Sequence, residues 1–382
     1  MSHSNCYDFD TPIERRNTHS NKWDKYKGQD IIPLWVADTD FCAAPVIQAA
    51  LEERVSQGVF GYTKPDLAYS QAIVDYYQDQ HGCVIQNDWV VWVPGIVASL
   101  TLAIRSMSAQ YSKVLTPSIV YPYFRTTPPA SGKHADQLAM TYNQDRLRID
   151  LDLLEDHNAE GARVMLFCNP QNPGGTVYTR EELERIDAYC LANKLILVSD
   201  EIHADIILDE DKSHVPYLDV SQHALNNSIV LGAASKAFNV AGLACSWAVI
   251  ANPEIRQGFK DEMHGIVSEI NPLGYIATVT ALSEGQDWLK QMNNYLRGNR
   301  DYLSAQLNDL QGIRMLPLES TFLAWLDVSE LQLEDPCAFF EAAGVGLSPG
   351  TGFNDANFLR LNFGCPRSVL EDAVRRIKKA LS

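Results

Sequence analysis

The sequence predicts an α/β protein: a large domain built on a mainly parallel sheet, joined to a smaller α+β domain. Three observations point there. Short apolar runs alternate with helical patterns through the middle of the chain, as expected of parallel strands covered on both faces. That alternation gives way to a different pattern in roughly the last hundred residues. The length, 382 residues, also exceeds what one hydrophobic core usually supports. The large domain is expected over about residues 46–280, and the small one over 281–382 completed by 1–45.

The elements follow in chain order. "VVWV" (Val90–Val93) is a short apolar run, followed by Pro94-Gly95 and the helical stretch "IVASLTLAIRSMS". "KVLT" (Lys113–Thr116) precedes a proline-rich turn. "RVMLFC" (Arg163–Cys168) leads into "NPQNPGGTVYTREELERIDAYCLANK". There Thr179 and Glu182 fit a capping box, and Leu183, Ile186 and Cys190 share one helix face. "LILVS" (Leu195–Ser199) and "SIVLG" (Ser228–Gly232) complete the apolar runs. Beyond them a helix spanning about Trp288–Leu310 precedes "TFLAWLDV", and a last helix covers Ser368–Leu381.

Composition narrows the function classes. Hydrophobic residues make up 46% and charged residues 21%, as in ordinary globular proteins. The formal net charge of −17 argues against nucleic acid, whose binding needs Lys and Arg to neutralise phosphates. No apolar stretch approaches the ~20 residues of a membrane helix. The N-terminus, "MSHSNCYDFDTPIERRNTHSNKWDKY", lacks the apolar core of a signal peptide. Eight cysteines (Cys6, Cys42, Cys83, Cys168, Cys190, Cys245, Cys337, Cys365) form no C-x-x-C pair, which fits neither a zinc site nor a dense disulfide framework. A reducing cytoplasm is the expected home.

Ligands of parallel α/β sheets gather at the carboxyl ends of the strands. After "VVWV", Ile96 and Val97 open a helix whose free N–H groups suit a phosphate. After "VMLFC", the turn Asn169–Gly175 can aim the Asn172 amide inward. After "LILVS" stand Asp200, Glu201, Ile202 and His203; after "SIVLGAA" stand Ser235 and Lys236. A lysine placed behind a cluster of tiny residues is suited to forming an imine with an aldehyde. Anion site, amide, carboxylate and amine on one edge suit pyridoxal 5′-phosphate, which needs a lysine for its aldehyde and an acid for its pyridine nitrogen.

The linked motifs "NPQNPGG", "SDEIHADI", "ASKAFNVAGL" and "FLRLNFGCP" resemble the fold-type-I pyridoxal-phosphate enzymes, aminotransferase class I/II, over essentially the whole chain. "NKWDKY", "PLWVADTDF", "GVFGYT", "SDEIHAD", "STFLAWLD" and "LNFGCPRS" are similar to the cystathionine β-lyase/cysteine C–S lyase branch of MalY/PatB type. The resemblance implies that Lys236 holds the cofactor aldehyde, Asp200 pairs with the ring nitrogen and Asn172 bonds the ring hydroxyl. It implies stacking by Tyr121, with Tyr123 competing because "SIVYPYF" is two residues longer than usual. Ile96, Val97 and Ser235 would serve the phosphate, His203 would pack behind the ring or touch its oxygen, and Arg360 would grip the substrate α-carboxylate. Tyr62 would reach the phosphate of a neighbouring subunit, which implies a homodimer with shared active sites. Glu201 is read as structural.

Two departures stand out. Ala233 occupies the position, three residues before the lysine, where many relatives carry a phosphate-binding hydroxyl. Ala244 stands where many aminotransferases place an arginine, a change shared with the lyase branch. The first predicts weaker cofactor retention. The expected activity is α,β-elimination from a cysteine S-conjugate such as cystathionine, in cysteine and methionine metabolism. Transamination and a regulatory protein on the same fold are the alternatives.

Overall fold

The computed structural model describes residues 7–107, 110–143 and 145–382. Its main sheet has seven strands, in the order Val90–Val93, Ser246–Val249, Ser228–Gly232, Ile196–Asp200, Ala162–Cys168, Lys113–Pro117 and His134–Leu138. Parallel pairing joins the strands from Ser228–Gly232 to His134–Leu138, as the alternating pattern predicts. Ser246–Val249 runs antiparallel to both its neighbours.

Both faces of the sheet are apolar. Leu115, Met165, Phe167, Leu197 and Val230 pack on one side with Leu183, Ile186 and Cys190. Val114, Val164, Leu166, Ile196, Val198 and Ile229 pack on the other with Leu100, Ala103 and Ile104. Consecutive strand residues alternate between the two cores, so continuous apolar runs were the correct signal for buried strands. The helix Arg180–Asn193 begins at the expected capping box: Glu182 N–H donates to Thr179 Oγ1 at 3.2 Å, and Thr179 N–H to Glu182 Oε2 at 2.8 Å.

Two elements differ from expectation. The strand Ser246–Val249 is not among the apolar runs read from the sequence, because four residues are too few to show a period. The proline-rich turn contains a helix, Tyr123–Ala130, whose Pro128 and Pro129 fall in its last turn. Prolines there remove helical donors, so the helix stops soon after them.

A second sheet of four antiparallel strands orders Arg314–Met315, Leu323–Asp327, Phe358–Asn362 and Ser348–Pro349. Ile32–Pro33 pairs in parallel with Val345–Gly346, tying the N-terminal segment to this part of the chain. A further core joins Phe9, Ile32 and Leu34 to the helices Gln286–Asn308 and Arg367–Leu381. Among the described residues no helix is long and apolar enough to cross a membrane, and the seven described cysteines are unpaired. Cys6 lies outside the described residues.

Candidate active site

At the carboxyl edge of the main sheet lies a cavity of about 250 Å³. Lys236, Asp200, Asn172, Tyr121, His203, Ile96, Val97, Ser235 and Arg360 all line it, together with Ala233 and Ala244. The tiny residues ahead of Lys236 have a packing reason: a Cβ on Gly232 would lie 2.6 Å from the Trp247 ring. Only glycine lets that indole cover the end of the Ser228–Gly232 strand.

Lys236 donates from Nζ to the Ala37 carbonyl at 2.7 Å. Burial lowers its pKa to about 8; Asp38 and Asp200 oppose that shift and Arg360 adds to it. An amine so placed is partly neutral at physiological pH and is a base as well as a nucleophile.

Asp200 ends the strand Ile196–Asp200, where Oδ1 accepts from Ile202 N–H at 3.2 Å. Burial lifts its pKa to about 7, against the pull of the Ile202 N–H and Lys236. A buried carboxylate in this condition is stabilised by any cation brought beside it. His203 is forced neutral, its pKa lowered to about 3 by burial and by the charges of Lys236 and Arg360, and its Nδ1 has no partner.

Arg360 lies on the strand Phe358–Asn362 and donates to Asn172 Oδ1 at 3.1 Å and to the Trp35 carbonyl at 3.0 Å. Its guanidinium stacks over Phe353 at 4.6 Å, and its buried Nε is unpartnered. Burial lowers its pKa to about 10. With Oδ1 of Asn172 taken by Arg360, the Asn172 amide has its Nδ2 donor left to offer. Tyr121 N–H bonds the Asn172 carbonyl at 3.1 Å, which fixes the aromatic wall to the same turn.

The helix Ile96–Arg105 starts at Gly95, whose φ of 112° a side chain would resist. Gly95 N–H donates to Ser246 Oγ at 3.0 Å, and the first intrahelical bond runs from Ser99 N–H to Gly95 O at 3.2 Å. The N–H groups of Ile96, Val97 and Ala98 therefore precede the helical ladder, an arrangement suited to a phosphate.

Placement resolves one ambiguity and exposes another fact. Tyr121 lines the cavity, whereas Tyr123 is exposed with its ring 5.3 Å from that of Tyr121. Tyr62 is fully exposed and does not line this cavity. Residue-by-residue reasoning missed Val36 and Ala37, which form one wall, and Ser246, which anchors Gly95. The fragment "PLWVADTDF" marked that wall only as a point of resemblance, since it works through main-chain carbonyls that side-chain chemistry does not advertise.

The donor set fits pyridoxal 5′-phosphate. A carboxylate stabilised by an added cation, a buried amine, an amide donor and a helix N-terminus converge on one cavity, and two polar atoms in it, His203 Nδ1 and Arg360 Nε, lack partners. The geometry thus defines a pyridoxal-phosphate enzyme on an aminotransferase-like α/β fold. Residues 30–377 match the family described as aminotransferase class I and II. The chain is 33% identical to cystathionine beta-lyase PatB of Bacillus subtilis (strain 168), over 98% of this chain and all of that protein. It superposes on the crystal structure of OvoB with a TM-score of 0.95 at 42% identity, covering 98% of this chain and 99% of the other. For the PLP-bound C-S lyase from Staphylococcus hominis the TM-score is 0.90 at 30% identity, with 98% and 99% covered. The chain belongs to the aminotransferase class I and II family, and its cofactor is pyridoxal 5′-phosphate.

Proposed function

We propose that this protein is a C–S β-lyase that cleaves cystathionine or a related L-cysteine S-conjugate to a thiol, pyruvate and ammonia. The observation that carries this reading is the buried Lys236 amine, with a pKa near 8, in one cavity with the Asp200 carboxylate and the Arg360 guanidinium. Full-length similarity to a cystathionine beta-lyase supports elimination over transamination, as does Ala244 at a position where aminotransferases commonly hold an arginine.

Pyridoxal 5′-phosphate supplies an aldehyde for the substrate amine and a ring that accepts the electron pair from Cα. Asp200 as a carboxylate would keep a proton at the ring nitrogen. Asn172 would donate to the ring hydroxyl, Tyr121 would cover the ring, and the N–H groups of Ile96 and Val97, with Ser235, would hold the phosphate. Arg360 turns its donors from Asn172 and Trp35 to the substrate carboxylate and so fixes which Cα substituent faces Lys236. Neutral Lys236 removes the Cα proton. The C–S bond then breaks with its electrons on sulfur, which tolerates the charge because thiols are far more acidic than alcohols. The released enamine hydrolyses to pyruvate and ammonia.

Residues 46–280 act in this reading as the cofactor domain, with 1–45 and 281–382 as the small domain. The assembly is a cytoplasmic homodimer. Val59, Phe60, Tyr62 and Leu67 are all exposed on one stretch, apolar surface that suits a second copy whose phosphate Tyr62 would reach.

Incubation of the purified, cofactor-loaded protein with cystathionine and no keto acid tests the reading. Stoichiometric pyruvate and thiol are expected; turnover only when a keto acid is added would make it an aminotransferase instead. Borohydride reduction should also leave a pyridoxyl group on the peptide containing Lys236.

A further inference from the structure

Past Leu34 the N-terminal chain leaves the sheet, and side chains take over its carbonyls. Leu34 still pairs with main chain on both sides, at Gly346 and Asn362. The next four carbonyls, Trp35 to Asp38, form the cavity wall and its continuation. Arg360 donates to Trp35 O at 3.0 Å and Lys236 to Ala37 O at 2.7 Å. Asn362 Nδ2 donates to two of them, Val36 O at 2.6 Å and Asp38 O at 2.7 Å. Ser348 and Lys22 add donors at the two ends.

These donors divide by what else they must do. In the proposed chemistry Lys236 turns to the cofactor aldehyde and Arg360 to the substrate carboxylate, so both let go of the wall. Asn362 has no such task. It is fully buried and does not line the cavity, and it follows Arg360 by two residues on the strand Phe358–Asn362, hence on the same face. Its Oδ1 accepts from Gly364 N–H at 2.8 Å, which fixes the amide with both its N–H bonds towards the wall. The two bonds straddle Ala37. They hold its carbonyl in place while the donors on either side of the clamp come and go.

We propose that Asn362 is a positioning residue for the base: its amide holds Val36 and Asp38 so that the Ala37 carbonyl receives the Lys236 amine each time that amine is released. The proposal rests on Lys236 acting as the base, as in the lyase reading, and is independent of the fate of the C–S bond.

A second asparagine provides the control. Asn299 is equally buried and also clamps two carbonyls, Phe363 O at 3.1 Å and Cys365 O at 2.8 Å, but neither residue lines the cavity. Exchange of the Cα proton of L-alanine in D2O, followed by proton NMR on the loaded protein, reads the base without a leaving group. Asn362→Ala should lower kcat for exchange about ten-fold with KM within about two-fold, because the base is displaced while the Arg360 guanidinium is kept. In the cofactor-free protein, competitive acetylation of Lys236 across pH, read by mass spectrometry of its peptide, gives the amine's titration. The charged groups acting on it are Asp38, Asp200 and Arg360, with neutral His203 nearby, and Asn362→Ala removes none of them. The midpoint should move from about 8 towards 9 as water reaches the amine through the loosened wall. Asn299→Ala, whatever it costs in stability, should leave both readings at wild-type values. Equal effects of the two substitutions overturn the proposal, since Asn362 would then be structural only. So does a change in KM alone, or an unaltered Lys236 titration. If Asn362→Ala does not fold, Asn362→Ser, with one shorter donor, decides on the same two readings. No exchange by the wild type removes Lys236 as the base and the proposal with it. The expected exchange pattern without pyruvate from any cysteine conjugate upholds the proposal and removes the lyase reading.

Discussion

Burial of Lys236 has a consequence that can be read without turnover. Its pKa falls from 10.5 to about 8 in the folded chain, so between those values the unfolded chain binds more protons. Stability must then rise with pH in that window, because the cost of burying the charged amine disappears as it deprotonates. From pH 8 to 9.5 the recovered stability is about 1.5 kcal/mol. Buried cysteines and tyrosines titrate nearby, so the clean measurement is a difference. Cofactor-free wild type should gain about that much on Lys236→Met across the window in urea titrations; parallel curves would mean that the amine is solvated. A neighbouring residue gives a second test. Ala233 is buried against the cavity and has no hydroxyl to offer. Ala233→Ser should strengthen cofactor retention about five-fold, the worth of one hydrogen bond of ~1 kcal/mol. Loss of cofactor during dialysis, followed by absorbance, measures it; no change would mean that the phosphate is satisfied by the helix N-terminus alone.

Among the elements, the helix Arg180–Asn193 shows how local sequence and tertiary packing cooperate. Thr179 closes the capping box, but its partner Glu182 also accepts from Arg146 at 3.0 Å. Thr179→Ala should cost about 1 kcal/mol, seen as a lower urea midpoint at unchanged slope. Glu182→Gln should cost more, because it leaves Arg146 and Arg148 with less charge to meet. Glu201 is a comparable case at the end of its strand. It accepts from Ser199 Oγ at 2.8 Å, Tyr217 N–H at 2.9 Å and His214 Nε2 at 2.8 Å, which accords with a structural reading. The helix Ile96–Arg105 was legible because its apolar face and the preceding Pro94-Gly95 are local signals. The strand Ser246–Val249 was not, because its burial comes from neighbours far away in sequence.

At the scale of the whole molecule, the exposed stretch around Tyr62 is the feature that a single chain leaves unexplained. In the proposed homodimer, each active site takes Tyr62 from the other copy. Lys236→Ala and Tyr62→Ala proteins should each be impaired, and mixing them after mild dissociation should recover about a quarter of wild-type activity, since half of the hybrids' sites are intact. No recovery, with hybrids verified by mass, would place Tyr62 outside the site. The net charge of −17 suits solubility.

The sequence by itself determined the candidate residues of the proposed chemistry and the edge on which they meet. Asp200, Asn172, Lys236 and the opening of the helix at Ile96 each follow an apolar run, and parallel strands bring such positions together by geometry alone. The tertiary structure decided what depends on contacts between remote segments. It chose Tyr121 over Tyr123 for the cavity wall, and brought the Ala37 carbonyl to Lys236 and the Trp35 carbonyl to Arg360. Residue type and spacing encode what a side chain can do, whereas burial and the position of main-chain carbonyls arise only when the chain closes on itself.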